Sequence, residues 1–368
     1  MSKLNIVIAD SDEAYVDGLI KYLADKNSHK FQTSYFTNQN YLEAYLLKTD
    51  KLVDILLVSP ELYNDSLPLQ RINTVILLST GRLNEGYEEY SVINKYQTGD
   101  KLVSNIINIF TERNPDEVHI QNYDKRTKVI GVYSTEGGSG KTTVSIGAAS
   151  QCVIRGLSAF YLNLEEIQST PMFFDCKSDQ NLSHIFYYLK EKSRNLNIKI
   201  EAVRMEDRDS GIHYFAPPDS AREFEEISPE EIKLLIQQLK QMNYYDVVYI
   251  DMSSSFGEKN IAILEECDEI LLLQTQQMIA KIKINSLIKE LSNIKVKDDC
   301  SLADKVSIIL NKYDAGKSFE TENVNKEEKR AILRIPRVLS LLIYKPEKCV
   351  LNLNNNFGEA LNILVNKF

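Results

Sequence analysis

Hydrophobic and polar positions along the chain follow two alternating patterns. Short apolar runs of strand length, at residues 5–9, 31–35, 53–58, 74–79 and 91–94, are separated by stretches with apolar residues at helical spacing, such as 13–26 and 101–110. This alternation predicts a parallel sheet with helices on both faces. From about residue 111 the pattern lapses into Glu-Arg-Asn-Pro-Asp-Glu and then Gln-Asn-Tyr-Asp-Lys-Arg, the composition of a linker. The expected division is therefore a first domain at 1–115 and a second at 116–368, which includes a linker at 116–127. The second opens on an apolar run, 128–133. Next comes a helical pattern carrying Val144, Ile146, Ala148, Ala149, Cys152 and Val153, with Gly156 at the position of a left-handed C-cap. Strand-like runs recur at 157–164, 245–251, 269–274 and 305–310. The sequence Ser228-Pro229-Glu230-Glu231 is a capping box that launches Ile232, Leu235, Ile236 and Leu239 at helical spacing. A last helix at 360–368 has Leu361, Leu364, Val365 and Phe368 on one side. Both halves read as α/β with mostly parallel sheets.

At 368 residues and 43% hydrophobic content, the chain can support two cores. Its net charge of −9 argues against strong nucleic-acid binding, which needs a concentrated basic face. Lysines 281, 283, 289, 295 and 297 read as a solvated helix face, with a weak DNA or acidic-lipid patch as the sharper alternative. The longest apolar runs, 270–273 and 308–310, fall far short of the roughly 20 residues needed to cross a bilayer. Asp10 and Asp12 interrupt the start before any long apolar core, so a cytoplasmic protein is expected. Five cysteines without paired spacing fit reduced, packed thiols.

Chemistry concentrates in Ser134-Thr135-Glu136-Gly137-Gly138-Ser139-Gly140-Lys141-Thr142-Thr143, between a strand and a helix. Closely spaced glycines there let backbone N–H groups converge on phosphate oxygens. Lys141 adds a positive charge, and the Thr142 hydroxyl can hold Mg²⁺. The strict Gly-x-x-x-x-Gly-Lys-Ser/Thr pattern fails, because its first glycine would fall on Thr135. The remaining x-Gly-Gly-x-Gly-Lys-Thr-Thr resembles the deviant Walker A loop of the MinD/ParA group of P-loop ATPases. Asp251, ending the apolar run 245–251, is placed to hold Mg²⁺ through water beside Thr142. The resemblance implies ATP and Mg²⁺ as ligands, with residues 136–143 around the phosphates. It also sets Glu165 at the position of an aspartate that orients the attacking water, with Asn163 at the aspartate before it. Asn311 and the backbone near Pro336 fall on the adenine side. Two departures stand out: Ser253-Ser254 replaces a Pro-Pro pair, and Glu136 replaces the signature lysine.

The first domain resembles a response-regulator receiver. Asp10 and Asp12 stand where a receiver has its metal-binding acids, Ser79 where it has its switch hydroxyl, and Lys95 where it has its lysine. Ser59, however, occupies the place of the phospho-accepting aspartate, and a serine is neither a carboxylate ligand nor that nucleophile. A pseudo-receiver that docks or dimerises is the expectation. Without a third carboxylate, a solvated loop with an N-cap is the simpler reading of Asp10 and Asp12.

This pairing of domains resembles the TadZ/CpaE-type pilus assembly proteins. The resemblance implies a nucleotide-dependent homodimer that positions Tad/Flp pilus secretion machinery, recruited to the inner face of the membrane at a cell pole. Across such a dimer, a carboxylate at residue 136 lying at about 4 Å would be repelled by about 4 kcal/mol per phosphate charge. A slow ATPase at most is therefore expected, with Lys141 and Glu165 its catalytic residues. A ParA-like partition ATPase that binds nonspecific DNA is the alternative.

Overall fold

A computed structural model of the chain describes residues 3–27, 31–49, 51–64, 67–81, 90–114, 127–193, 195–296, 300–316 and 331–367. The chain divides into two compact units, one of residues 1–121 with 193–203, the other of 122–192 with 204–368. Apart from Thr127, the linker expected at 116–127 lies outside the described residues, as do Lys297 and Phe368.

The first unit is built on five parallel strands: β1 (Leu4–Ala9), β2 (Phe31–Phe36), β3 (Val53–Val58), β4 (Ile72–Ser79) and β5 (Ser91–Asn94). Their order is β2-β1-β3-β4-β5, so the topology reverses between β1 and β3, where an open α/β sheet forms its crevice. The period-two alternation of a strand sends successive side chains to opposite faces. Ile6, Ile8, Ile55, Leu57, Ile76 and Leu78 accordingly enter one core, and Val7, Ala9, Leu56, Val58 and Leu77 the other. Both faces are covered, which explains why these strands read as continuous apolar runs. One element comes from far along the sequence. The helix Leu196–Val203 packs on the helix Gly99–Arg113 and buries Ile198 beside Ile106 and Phe110. Sequence order assigned it to the second domain.

The second unit is an eight-stranded sheet of β6 (Lys128–Tyr133), β7 (Ala159–Leu164), β8 (Met205–Glu206), β9 (His213–Tyr214), β10 (Val247–Met252), β11 (Glu269–Gln274), β12 (Val306–Tyr313) and β13 (Ala331–Pro336). The order is β13-β12-β11-β6-β10-β7-β9-β8, and only the β8–β9 pair is antiparallel. β6 is central, with β11 and β10 on either side. Asp251 lies opposite Val132 of β6 and Asn163 of β7, which puts the carboxyl ends of three strands at one place.

Behind them the helix Lys141–Ile154 buries Val144, Ala148, Ala149 and Cys152 and packs on the helix Asn356–Val365. Gly147 permits that approach, since a Cβ there would stand 2.5 Å from Leu361. The capping box forms as read: Ser228 Oγ accepts from Glu231 N at 3.2 Å, and Glu231 Oε2 from Ser228 N at 2.8 Å. Gly156 has the left-handed φ of +80°. Among the described residues, no helix is long and apolar enough to cross a membrane.

Candidate functional site

Between β6 and the helix Lys141–Ile154 the chain turns through residues 134–140. Gly138 at φ +70° and Gly140 at φ +97° occupy backbone conformations that a side chain would disfavour. Ser134 Oγ anchors the near end by donating to Leu273 O at 2.9 Å. At the far end Asn311 Nδ2 donates to Ser139 O at 2.7 Å, and Lys312 Nζ to Gly138 O at 2.6 Å. The N–H groups of Gly138 and Gly140 have no partner among the described residues, while that of Ser139 closes a turn over Gly137 and Gly138. With the start of the helix, they form a positive backbone pole.

Charged side chains gather beside this loop. Buried Lys141 donates to Ser254 Oγ at 2.9 Å and stands 3.6 Å from Glu165 Oε1. Burial raises the Glu165 carboxyl above its ordinary value, although Lys141 pulls it down. Asp251 is fully buried, and Tyr161 OH donates to its Oδ2 at 2.8 Å. Burial, with the charge of Glu165 in second place, pushes the Asp251 carboxyl up to about 7, while the Thr142 and Tyr161 hydroxyls and Lys141 hold it down. Seven buried side-chain polar atoms among the described residues lack a hydrogen-bond partner. Three of them, Thr135 Oγ1, Ser139 Oγ and Asp251 Oδ1, belong to this loop and the strand end beside it. Native interiors rarely leave such atoms unpaired.

The loop residues 136–143, Glu165 and Asp251 thus come together, with Lys141 in direct contact with Glu165. Asn163 has a different task. Its Nδ2 donates to Thr170 Oγ1 and Tyr161 OH, both at 3.1 Å, and its Oδ1 accepts from Glu165 N at 2.9 Å, so it braces the segment carrying Glu165. Glu136 Oε2 accepts from Thr275 Oγ1 at 3.5 Å, which turns its carboxylate toward its own chain. Pro336 pairs with Tyr313, two residues beyond Asn311. Ser254, Tyr161, Thr275 and Lys312 all touch the site, and the motif reading gave none of them a role. Two carried a signal, Ser254 as a departure from Pro-Pro and Lys312 as the neighbour of Asn311 at the end of its strand.

In the first unit Lys95 Nζ lies 3.2 and 3.1 Å from the two Asp10 carboxylate oxygens and 3.5 Å from Asp12 Oδ2. One ammonium thus offsets one of the two carboxylate charges, and Asp10 is buried beside it and not in a solvated loop. Asp12 also accepts from Tyr15 N at 3.1 Å, the N-cap bond of the helix Glu13–Asn27. Ser59 Oγ is buried with no partner, and Ser79 Oγ is taken up by Gly81 N at 3.1 Å. No group of three or more His, Cys, Asp or Glu side chains able to hold a metal occurs among the described residues.

Residues 127–306 match the family model described as an AAA domain. A comparison with curated protein sequences finds no match. Among solved structures, the chain is similar to a ParA family ATPase from Chlorobium tepidum, at 17% identity over 65% of this chain and 91% of that one, with a TM-score of 0.48. It is also similar to the septum site-determining protein MinD complexed with Mg-ADP from Pyrococcus horikoshii, at 15% identity over 66% and 95%, TM-score 0.48. A third is cobyrinic acid a,c-diamide synthase from Mycobacterium smegmatis with a bound ATP analog and magnesium, at 15% identity over 65% and 93%, TM-score 0.48.

Proposed function

We infer that the AAA domain matched at residues 127–306, together with the end of β12, binds magnesium-ATP as a P-loop ATPase of the MinD/ParA kind. The observation that carries this reading is the convergence of unsatisfied groups: the N–H donors of Gly138 and Gly140 and three unpaired side-chain oxygens around Lys141. A polyphosphate with its cation would complete them. Thr142 and Asp251 supply one hydroxyl and one carboxylate, which suits Mg²⁺, an ion that keeps several waters and binds through one or two carboxylates plus phosphate. Bound there, the ion would offset phosphate charge.

The same reading makes the chain a nucleotide-dependent homodimer that acts as a TadZ/CpaE-type assembly factor, locating pilus secretion machinery at a pole. Ile167, 80% exposed, and Phe256, 45% exposed, are apolar residues flanking Glu165 and Ser254, which supports a second copy meeting this face. Position 136 carries a carboxylate held by Thr275 of its own chain and so offers no cation from that place in the loop, which supports slow hydrolysis with Glu165 orienting water.

Calorimetric titration of ATP into the full chain with Mg²⁺ and with EDTA tests the reading. Magnesium-dependent binding, weakened about 100-fold in Lys141→Ala, is expected; no binding by the wild type refutes it. Salt-sensitive, ATP-dependent capture of nonspecific duplex DNA would replace the pilus role with the partition role.

A further inference from the structure

The two bonds that pin the far end of the phosphate loop carry one inference more, resting on the cradle reading above. A trans peptide is planar, with its C=O and N–H pointing in opposite directions, and no peptide among the described residues is cis. Lys312 Nζ holds the Gly138 carbonyl, and Asn311 Nδ2 holds the Ser139 carbonyl. Each bond therefore fixes one peptide plane and turns the following N–H, that of Ser139 and that of Gly140, to the other side. The Gly140 N–H has no partner among the described residues, and the Ser139 N–H closes the turn over Gly137 and Gly138.

Neighbours on a strand normally point to opposite faces, so Asn311 and Lys312 at the end of β12 should not reach the same loop. They do because Lys312 has φ +55°, a left-handed conformation uncommon for a residue with a side chain. Gly140 completes the fit, because a Cβ there would lie 2.4 Å from Asn311 Nδ2.

We propose that Asn311 and Lys312 are positioning residues for the phosphate cradle, acting on the polyphosphate through the loop's peptide planes and not on the base. The Asn311 amide hydrogens cannot serve both the Ser139 carbonyl and a nucleobase in full, and the 2.7 Å bond commits one of them. Lys312 is exposed, so its replacement disturbs no core.

The test is titration of Mg-ATP, Mg-GTP and Mg-tripolyphosphate into the full chain and its Asn311→Ala, Lys312→Ala and Lys312→Arg variants. Each alanine variant should weaken ATP and tripolyphosphate alike by about tenfold, with the ATP-to-GTP ratio unchanged and Lys312→Arg recovering most of the loss. The unfolding midpoint of Lys312→Ala should stay at the wild-type value. An Asn311→Ala variant that loses ATP but keeps tripolyphosphate overturns the proposal in favour of base recognition. So do variants that bind every ligand like the wild type. A wild type that binds neither ATP nor tripolyphosphate defeats the cradle reading itself.

Discussion

Asp251→Asn separates the electrostatics of the site from its packing. The substitution keeps the volume and keeps an oxygen to accept from Tyr161 OH, but it removes a fully buried charge. In the fold the carboxyl takes its proton near 7, against an ordinary 3.8. Between those values the native state holds a proton that the unfolded state has released, so stability falls as pH rises through the window and is level above it. A gap of about 3 units at 1.36 kcal/mol each puts the total loss at about 4 kcal/mol, of which about 3 kcal/mol falls between pH 5 and pH 8.5. The asparagine variant has no such term. Urea unfolding of wild type and variant at the two pH values should show the variant gaining about 3 kcal/mol on the wild type at the higher pH. Mg-ATP should restore the wild type at pH 8.5 and leave the variant nearly unaffected. An equal difference at both pH values would refute the assignment of a raised Asp251 pKa.

Two further outcomes concern the first unit. Lys95→Met strands the buried Asp10 beside Asp12, so its melting should drop by the equivalent of about 3 kcal/mol, the loss on breaking a buried pair; an unchanged melting curve would mean that the ammonium contributes nothing. Incubation with labelled acetyl phosphate and Mg²⁺ should leave the chain unlabelled, because Ser59 offers no carboxylate and Lys95 already fills the acidic pair; label recovered on this unit by peptide mapping would contradict that.

How far the sequence carried depends on whether a feature is local. β11 was legible to the residue because burial on both faces makes it an unbroken apolar run with polar ends, and β3 because its run is apolar apart from Asp54. The phosphate loop was legible because its glycines and lysine act through their own backbone and side chain. The bracing of that loop was not legible. Whether the Asn311 amide faces a base or a loop carbonyl depends on β12 lying beside β11 and on the left-handed turn at Lys312, neither of which leaves a mark in residue order. The same holds for Tyr161, whose hydroxyl reaches Asp251 only because β7 and β10 are paired in register. Glu136 was legible as a substitution, whereas its partner Thr275 required the fold.

The helix Leu196–Val203 alters what a fragment of this protein can be. Because it returns to the first unit, the polypeptide passes from one unit to the other three times, at residues 121–122, 192–193 and 203–204. A truncation ending near residue 115 would leave bare the apolar seat of Ile198 against Ile106 and Phe110. Proteolysis confined to the linker would sever one of the three covalent ties and leave the halves joined through the other two.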